Sequence, residues 1–383
     1  MAGGKGERLW PFVRAASPKV CLSSDGMRSL LQATIERLRP VWPSASWLIV
    51  TTQEQAAAVR AALPRSMRRC VLVEPQGKNT AACITLAALA LARRDPRRVM
   101  AVVPADHWIG DAPAFRRAMR TAIHAAVRHD TIATIGIRPT YPHTGLGYLC
   151  AGAPVDGPRP PRVFRLQRFI EKPSRERAAR LLKRPRTYWN SGTFVGAADT
   201  FLECVTEWLP DHTKQLAPLD SGHVWRVTRS RGPQPPAASD GDSPAGRGRR
   251  GGAVAGPAKL DHSPLAAQLH RAYRRLEPVS FDHGVMDHVR GGLIIEGRFP
   301  WADLGSWDIW AQVAKAACQT VAVGCRNVTV VGQERHLIAT VGVQDLLIVQ
   351  TPSATLACRP DQAQAVREVV RRVSADPLLA SYR

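Results

Sequence analysis

Residues 99–107 read VMAVVPADH: five apolar residues, Val99–Val103, halted by Pro104 and followed by Asp106 and His107. An unbroken apolar run of this length is the pattern of a strand buried on both faces, as in a sheet covered by helices. The flanking sequence repeats the alternation. Upstream, Trp47–Thr51 (WLIVT) and Cys70–Val73 (CVLV) read as strands, and Gln53–Leu63 and Thr80–Arg93 as Ala-rich helices. Downstream, Ala114–Val127 reads as a helix and Thr131–Ile137 as a strand. This rhythm predicts an α/β fold, Rossmann-like, with a mixed, mostly parallel sheet. Such sheets place ligands beyond the carboxyl ends of their strands. Pro104-Ala105-Asp106-His107 and Gly136-Ile137-Arg138-Pro139 both fall there.

The 383 residues suffice for one large domain and a smaller appendage. The net charge of +22 raises nucleic-acid binding, but the cations are mostly arginine and spread along the chain. No zinc-finger spacing or aromatic RNA-binding signature accompanies them, so no nucleic-acid partner is expected. The eight cysteines form no CxxC pair and sit mostly in apolar strings, as reduced buried thiols do. With no signal peptide and no apolar run long enough to span a bilayer, a cytoplasmic protein with no membrane partner is expected.

Residues 221–262 break the pattern. They are rich in Gly, Pro, Ala and Arg, lack apolar periodicity, and are expected to form a disordered insertion. From about residue 318 the runs shorten to VTVVG, HLIATVG and DLLIVQT, followed by a charged helix, Pro360–Val373. The expected division is a catalytic domain over 1–315 and a small β-rich region with a terminal helix over 316–383. No secure internal repeat is read there. One anomaly lies at the start. A glycine turn in a parallel α/β sheet normally follows a strand, yet Met1-Ala2-Gly3-Gly4 begins at the turn. A misplaced start codon would explain this, and the expectation is a sheet short of a central strand and less stable for it.

Gly3-Gly4-Lys5-Gly6-Glu7-Arg8-Leu9 is a turn whose glycines let backbone N–H groups approach an anion. Its continuation adds Arg14 and Lys19, so that with Arg8 three cations accompany one short segment, which suits a triphosphate. Asp106 ends a strand and Asp303 comes from a distant loop. Two such carboxylates can converge on Mg²⁺, a hard ion that prefers oxygen ligands and bound phosphates.

On these residues the chain resembles the nucleotidyltransferases that make nucleotide sugars. The resemblance rests on Gly3–Pro11 with Arg14 and Lys19, and on blocks that follow in order: Ser29–Gln32, Glu74–Ala81, Pro104–His107, Pro139–Tyr148, Phe169–Pro173, Trp189–Phe194, Ser280–Asp282 and Trp301–Trp307. The Trp10-Pro11 form is similar to the mannose-1-phosphate guanylyltransferase branch. The resemblance implies a GT-A-like catalytic domain and a partial left-handed β-helix after it. The isomerase domain of longer relatives is not expected. It implies Mg²⁺ as cofactor, GTP and mannose 1-phosphate as substrates, GDP-mannose as product and a homodimer. It assigns Gly3, Gly4, Gly6, Arg8, Lys19, Asn79 and Thr80 to the nucleotide. Gly145, Glu171, Lys172, Asn190 and Asp282 go to the sugar phosphate. Asp106 and Asp303 go to the metal, and Arg8, Lys19, Asp106 and Lys172 to catalysis.

Trp189, Trp301 and Trp307 are read as packing residues and not as base-stacking platforms. His107 is not needed as a base, because the attacking phosphate is already ionised. The sequence departs from the family pattern at Glu7, His143, His283, Gly284 and Asp287, which leaves base and sugar preference open. The alternatives are a transferase for another nucleotide and hexose 1-phosphate, or a non-catalytic relative that binds GDP-mannose.

Overall fold

The computed structural model describes residues 1–4, 6–14, 17–23, 27–42, 47–155, 161–219, 264–313, 319–332 and 336–382. The insertion read over 221–262 lies outside the described residues. The strands are β1 (Ile49–Thr52), β2 (Val71–Glu74), β3 (Val99–Val102), β4 (His107–Ile109), β5 (Ala133–Ile137), β6 (Tyr148–Pro154), β7 (Val163–Ile170), β8 (Thr187–Ala197), β9 (Leu293–Gly297) and β10 (Trp301–Asp303). The helices that cover them include α1 (Leu30–Leu38), α2 (Ala56–Ala61), α3 (Asn79–Ala92) and α4 (Ala112–His129). Each arises from local chemistry. A reciprocal capping box between Ser29 and Gln32 starts α1. Asp111 caps α4 by accepting from the Ala114 amide, and Asp130 ends it in a left-handed conformation. The small side chains of Ala81, Ala82, Ala87 and Ala88 are buried, which lets α3 lie close against its neighbours.

The main sheet runs β3-β8-β5-β9-β7-β6, and β1 and β2 form a separate parallel pair. The sheet is mixed. β5 and β9 are parallel, while β8 pairs antiparallel with β3, β5 and β6. That insertion brings the carboxyl ends of β3 and β5, the last residue of β7 and the middle of β8 to one end of the sheet. Apolar cores lie on its two faces, one centred on Ile84, Phe194 and Phe201, the other on Phe115, Met119 and Ile135.

β1 and β3 do not pair. Among the described residues, Met1 and Ala2 lie between them: the Met1 amine donates to the Val103 carbonyl at 2.9 Å and the Ala2 amide to the Val50 carbonyl at 2.8 Å.

Glu74, at the end of β2, is buried and accepts a 3.0 Å hydrogen bond from the Tyr273 hydroxyl. Burial pushes its carboxyl up to about 7, with the Tyr273 bond opposing in part. A carboxyl whose folded value exceeds its unfolded value favours folding when protonated. Stability is therefore expected to fall as pH rises from about 4.5 to 7, by about 3 kcal/mol from this group. Glu74→Gln should flatten that dependence. Melting temperatures at pH 5 and pH 7.5 would differ by less in the variant than in the parent, and an unchanged difference would clear Glu74 of the effect.

The C-terminal region corrects the reading that it holds no repeat. Strands β11 (Gln319–Val323) and β13 (Leu337–Val341) pair in parallel, as do β12 (Arg326–Val331) and β14 (Gln344–Gln350). The register is a constant offset of 18 residues, 319 to 337 and 326 to 344. β15 (Thr355–Cys358) closes the second pair antiparallel. Gly324 and Gly342 both take positive φ (62° and 66°), as do Asn327 and Asp345 (52° and 49°). The Asn327 amide donates to Asp345 across the two turns at 2.7 Å. This is a two-turn coil in which equivalent corners stack. It shares a core with the glycine segment: Leu9, Trp10 and Val13 pack with Trp307, Leu347, Val349 and Val366.

Candidate active site

The glycine segment is held rigidly from several sides. Gly4 and Gly6 take φ of 120° and 60°, which favour glycine. A Cβ on Gly6 would also lie 3.0 Å from Lys19 Cβ. The Gln55 side-chain amide donates to the Gly4 carbonyl at 2.8 Å, and the Trp307 indole N–H donates to the Trp10 carbonyl at 2.8 Å.

Lys19 lies in a short turn after Pro18, and its Nζ donates to Asp106 Oδ2 at 2.6 Å and to Asp303 Oδ1 at 3.3 Å. The β4–β10 pairing produces this meeting, since its antiparallel register sets Asp303 opposite His107, the neighbour of Asp106. Burial alone would raise the Asp303 carboxyl, but Lys19, His107 and Arg8 hold it down at about 2. Burial likewise opposes the Lys19 ammonium, and Asp106 and Asp303 outweigh it and raise it. The buried Lys19 ammonium and two partly exposed carboxylates are thus held by mutual pairing. His107 is shifted down by burial against the pull of Asp303 and Asp106, and its Nδ1 faces the Trp301 indole N–H at 3.3 Å.

These residues line one cavity of about 290 Å³ that also contains Gly3, Gly4, Gly6, Arg8, Gly305 and Arg367. Arg8 donates to Gln364 at 2.9 Å, while burial and the charge of Arg367 lower its pKa against the pull of Asp303. Two guanidiniums and an ammonium thus edge one small space beside the backbone of the glycine turn, an arrangement that attracts a polyphosphate. The donor set for a cation is two carboxylates with room for phosphate oxygens. This fits a hard divalent ion that keeps few protein ligands, although Lys19 stands between the two carboxylates and competes with it.

The residues expected at the sugar phosphate form a second cluster alongside. The Asn190 amide group donates to Asp282 Oδ1 at 2.6 Å, and its oxygen accepts from Thr134 at 3.0 Å and from the Gly192 amide at 3.2 Å. The Lys172 ammonium donates to Glu171. A Cβ on Gly147 would stand 2.8 Å from Glu171 Oε2, so glycine there lets the carboxylate rest on the backbone. Burial, reinforced by Glu171, pushes Asp282 up to about 6. The clusters meet at Gly192, where a Cβ would lie 3.3 Å from Pro104 and 4.0 Å from His107.

Not every predicted residue joins these clusters by direct contact. Asn79 is exposed at the start of α3 with φ of 66°. Thr80 accepts the Phe281 amide at 2.8 Å, so its hydroxyl anchors the turn that carries Asp282. The Gly145 amide donates to His143 at 2.9 Å on the rim near Trp189. His283 pairs with Asp287 on the surface. Trp189 and Trp307 are buried packing residues.

Arg367 was missed, and no sequence signal marks it among the charged residues of a terminal helix. Gly305 lay within a motif but without a role. A Cβ there would sit 2.9 Å from an Arg8 nitrogen and 3.4 Å from both Asp303 oxygens.

A nucleotidyl transferase family model matches residues 1–320. The chain belongs to that family. Residues 319–373 match a MannoseP isomerase/GMP-like beta-helix domain, the region of the two-turn coil. This nucleotidyltransferase is 32% identical over 388 residues to a mannose-1-phosphate guanylyltransferase of Escherichia coli K12, covering 98% of this chain and 73% of that one. It is also 32% identical to a mannose-1-phosphate guanylyltransferase of Salmonella typhimurium, covering 98% and 72%. Its fold matches a Thermus thermophilus crystal structure described as mannose-1-phosphate geranyltransferase. The TM-score there is 0.73 at 30% identity, over 98% of this chain and 100% of that one. Among the described residues no helix is long and apolar enough to cross a membrane, and the seven described cysteines are free.

Proposed function

We propose that this nucleotidyltransferase joins GTP and α-D-mannose 1-phosphate into GDP-mannose and diphosphate, in the cytoplasm. The observation that carries the reading is the meeting of Lys19, Asp106 and Asp303 in one cavity with the glycine turn. Two relatives bearing that activity in their descriptions support it.

In this reading the phosphates of GTP lie along Gly3, Gly4 and Gly6 and face Arg8, Lys19 and Arg367. The base end extends toward the loops after β1 and β2, near Asn79 and Thr80. Asp106 and Asp303 would hold Mg²⁺, which when bound neutralises charge on the phosphates. Asn190, Asp282 and Glu171 orient the hexose hydroxyls, with Gly145 on the rim, and Lys172 holds the sugar phosphate. Its already ionised oxygen attacks the α-phosphorus. That O–P bond forms as the bond to the bridging oxygen of the β-phosphate breaks, and diphosphate leaves. No covalent enzyme intermediate and no protein base are needed. Position and charge neutralisation do the work.

Diphosphate release over a panel of nucleoside triphosphates and hexose 1-phosphates tests the assignment. GTP with mannose 1-phosphate should give the highest kcat/KM, and a higher value for another pair would reassign the substrates. Arg367→Ala supplies a second check. Loss of one exposed cation from a phosphate site is expected to raise the nucleotide KM roughly fivefold, with kcat little changed. A fall in kcat at constant KM would contradict a binding role.

A further inference from the structure

Arg8 is fixed by a residue from the far end of the chain. Its Nη1 donates to the Gln364 side-chain oxygen at 2.9 Å. Its Nη2 lies over Gly305, where a Cβ would come within 2.9 Å of it. Among the described residues no carboxylate accepts a hydrogen bond from Arg8. Arg8 and Arg367 line the cavity beside the glycine turn, whereas Gln364 does not. Gln364 therefore holds the guanidinium from behind, away from the space a ligand would fill.

The tether has a firm base. Gln364 lies in the short helical turn Pro360–Ala365, which leads directly into the terminal helix Val366–Ala375. Its neighbours Ala363 and Val366 are buried in the core that also holds Leu9, Trp10 and Val13. The C-terminal region grips the glycine segment at two further points. The Arg14 guanidinium donates to Ser353 Oγ at 2.8 Å, and the Trp10 indole N–H donates to the Tyr382 carbonyl at 2.8 Å. Gln364 and the segment that carries Arg8 are thus parts of one packed unit.

The chemistry of the acceptor matters. A free arginine side chain samples many rotamers, and aligning it on a phosphate costs entropy. Arg367 on the same cavity adds like-charge repulsion, which would swing Arg8 outward. A carboxylate would hold the guanidinium more strongly, but it would neutralise the charge that a phosphate needs. An amide oxygen accepts one N–H, leaves the charge whole and leaves the other donors free.

We propose that Gln364 is a positioning residue for phosphate binding: its neutral oxygen orients Arg8 toward the cavity, so that the C-terminal region presets a cation of the catalytic domain. The inference rests on the nucleotide reading above in taking a polyphosphate as the ligand of this cavity, and is independent of which base or hexose the enzyme prefers.

The experiment measures calorimetrically the binding of inorganic diphosphate with Mg²⁺ to the parent, Gln364→Met, Gln364→Glu, Arg8→Met and the double variant Arg8→Met/Gln364→Met. Methionine keeps the length and removes the acceptor, while glutamate keeps an acceptor and adds a charge. Gln364→Met is expected to weaken diphosphate binding about fivefold, and Gln364→Glu by roughly tenfold or more, because its carboxylate pairs with Arg8 and repels the ligand. Melting temperatures should stay near that of the parent, since Gln364 is exposed. In the Arg8→Met background, where Lys19 and Arg367 still attract diphosphate, Gln364→Met should have no further effect. A general loosening of the C-terminal region would instead weaken binding in both backgrounds, and that result would overturn the proposal. Parental affinity in both single Gln364 variants would overturn it while leaving the nucleotide reading in place. A glutamate variant that binds more tightly than the methionine variant would overturn the need for a neutral acceptor. A parent that binds no diphosphate would remove the polyphosphate from the cavity and overturn both readings.

Discussion

Asp106→Asn is expected to lower kcat on the order of a thousandfold while the melting temperature stays near that of the parent. The fold survives because of the charge balance. Lys19 faces two carboxylates, at 2.6 Å from Asp106 and 3.3 Å from Asp303. Removing one leaves a neutral Lys19–Asp303 pair, and the asparagine oxygen still accepts from Nζ. No buried charge is stranded, which is the condition that makes such substitutions unfold proteins. Catalysis loses a carboxylate from the pair assigned to Mg²⁺. Several kcal/mol of transition-state charge stabilisation then disappear, and each 1.36 kcal/mol is about a factor of ten in rate. Steady-state kinetics with saturating Mg²⁺ would check the rate, and the melting curve the fold. A variant within about tenfold of parental kcat would remove Asp106 from the catalytic machinery.

Lys172→Ala should reduce kcat/KM for the sugar phosphate about a hundredfold and leave the nucleotide KM unchanged. Lys172 is the second residue after β7 and takes φ of 40°, a strained value for a side-chain-bearing residue. Its side chain is 61% exposed and, among the described residues, its ammonium bonds the adjacent Glu171. A charge so lightly held contributes little to folding, and swinging from a neighbouring carboxylate to a phosphate needs only a rotamer change. Loss of one charge-assisted contact that strengthens in the transition state is worth about 3 kcal/mol. The split between substrates separates this outcome from that of Asp106. A raised nucleotide KM with unchanged sugar-phosphate kinetics would move Lys172 to the other half of the site.

Much of the candidate site was legible because its residues sit in short motifs whose chemistry is local. The glycines need positive φ, which Gly4 and Gly6 adopt. Asp106 follows a buried strand, and the strand's end fixes where it lies. Asn79 and Gly145 were harder to place, since a loop residue's direction depends on what the loop packs against. The repeat of the C-terminal coil escaped notice because its regularity lies in corner conformation. Asn327 and Asp345 share a left-handed backbone, whereas the strands between them vary freely in side chain.

The sequence by itself determined the α/β core, the order of its strands and helices along the chain, and the identity of most of the cations and carboxylates that share the cavity. These follow from apolar periodicity and from residue type, both of which act within a few positions. Only the tertiary structure decided that β8 enters the sheet antiparallel, that Asp303 stands across from His107, and that the terminal helix brings Arg367 to the glycine turn. Each is a pairing between distant segments. Backbone hydrogen bonds are chemically alike along every strand, so partner and register are chosen by how whole surfaces pack.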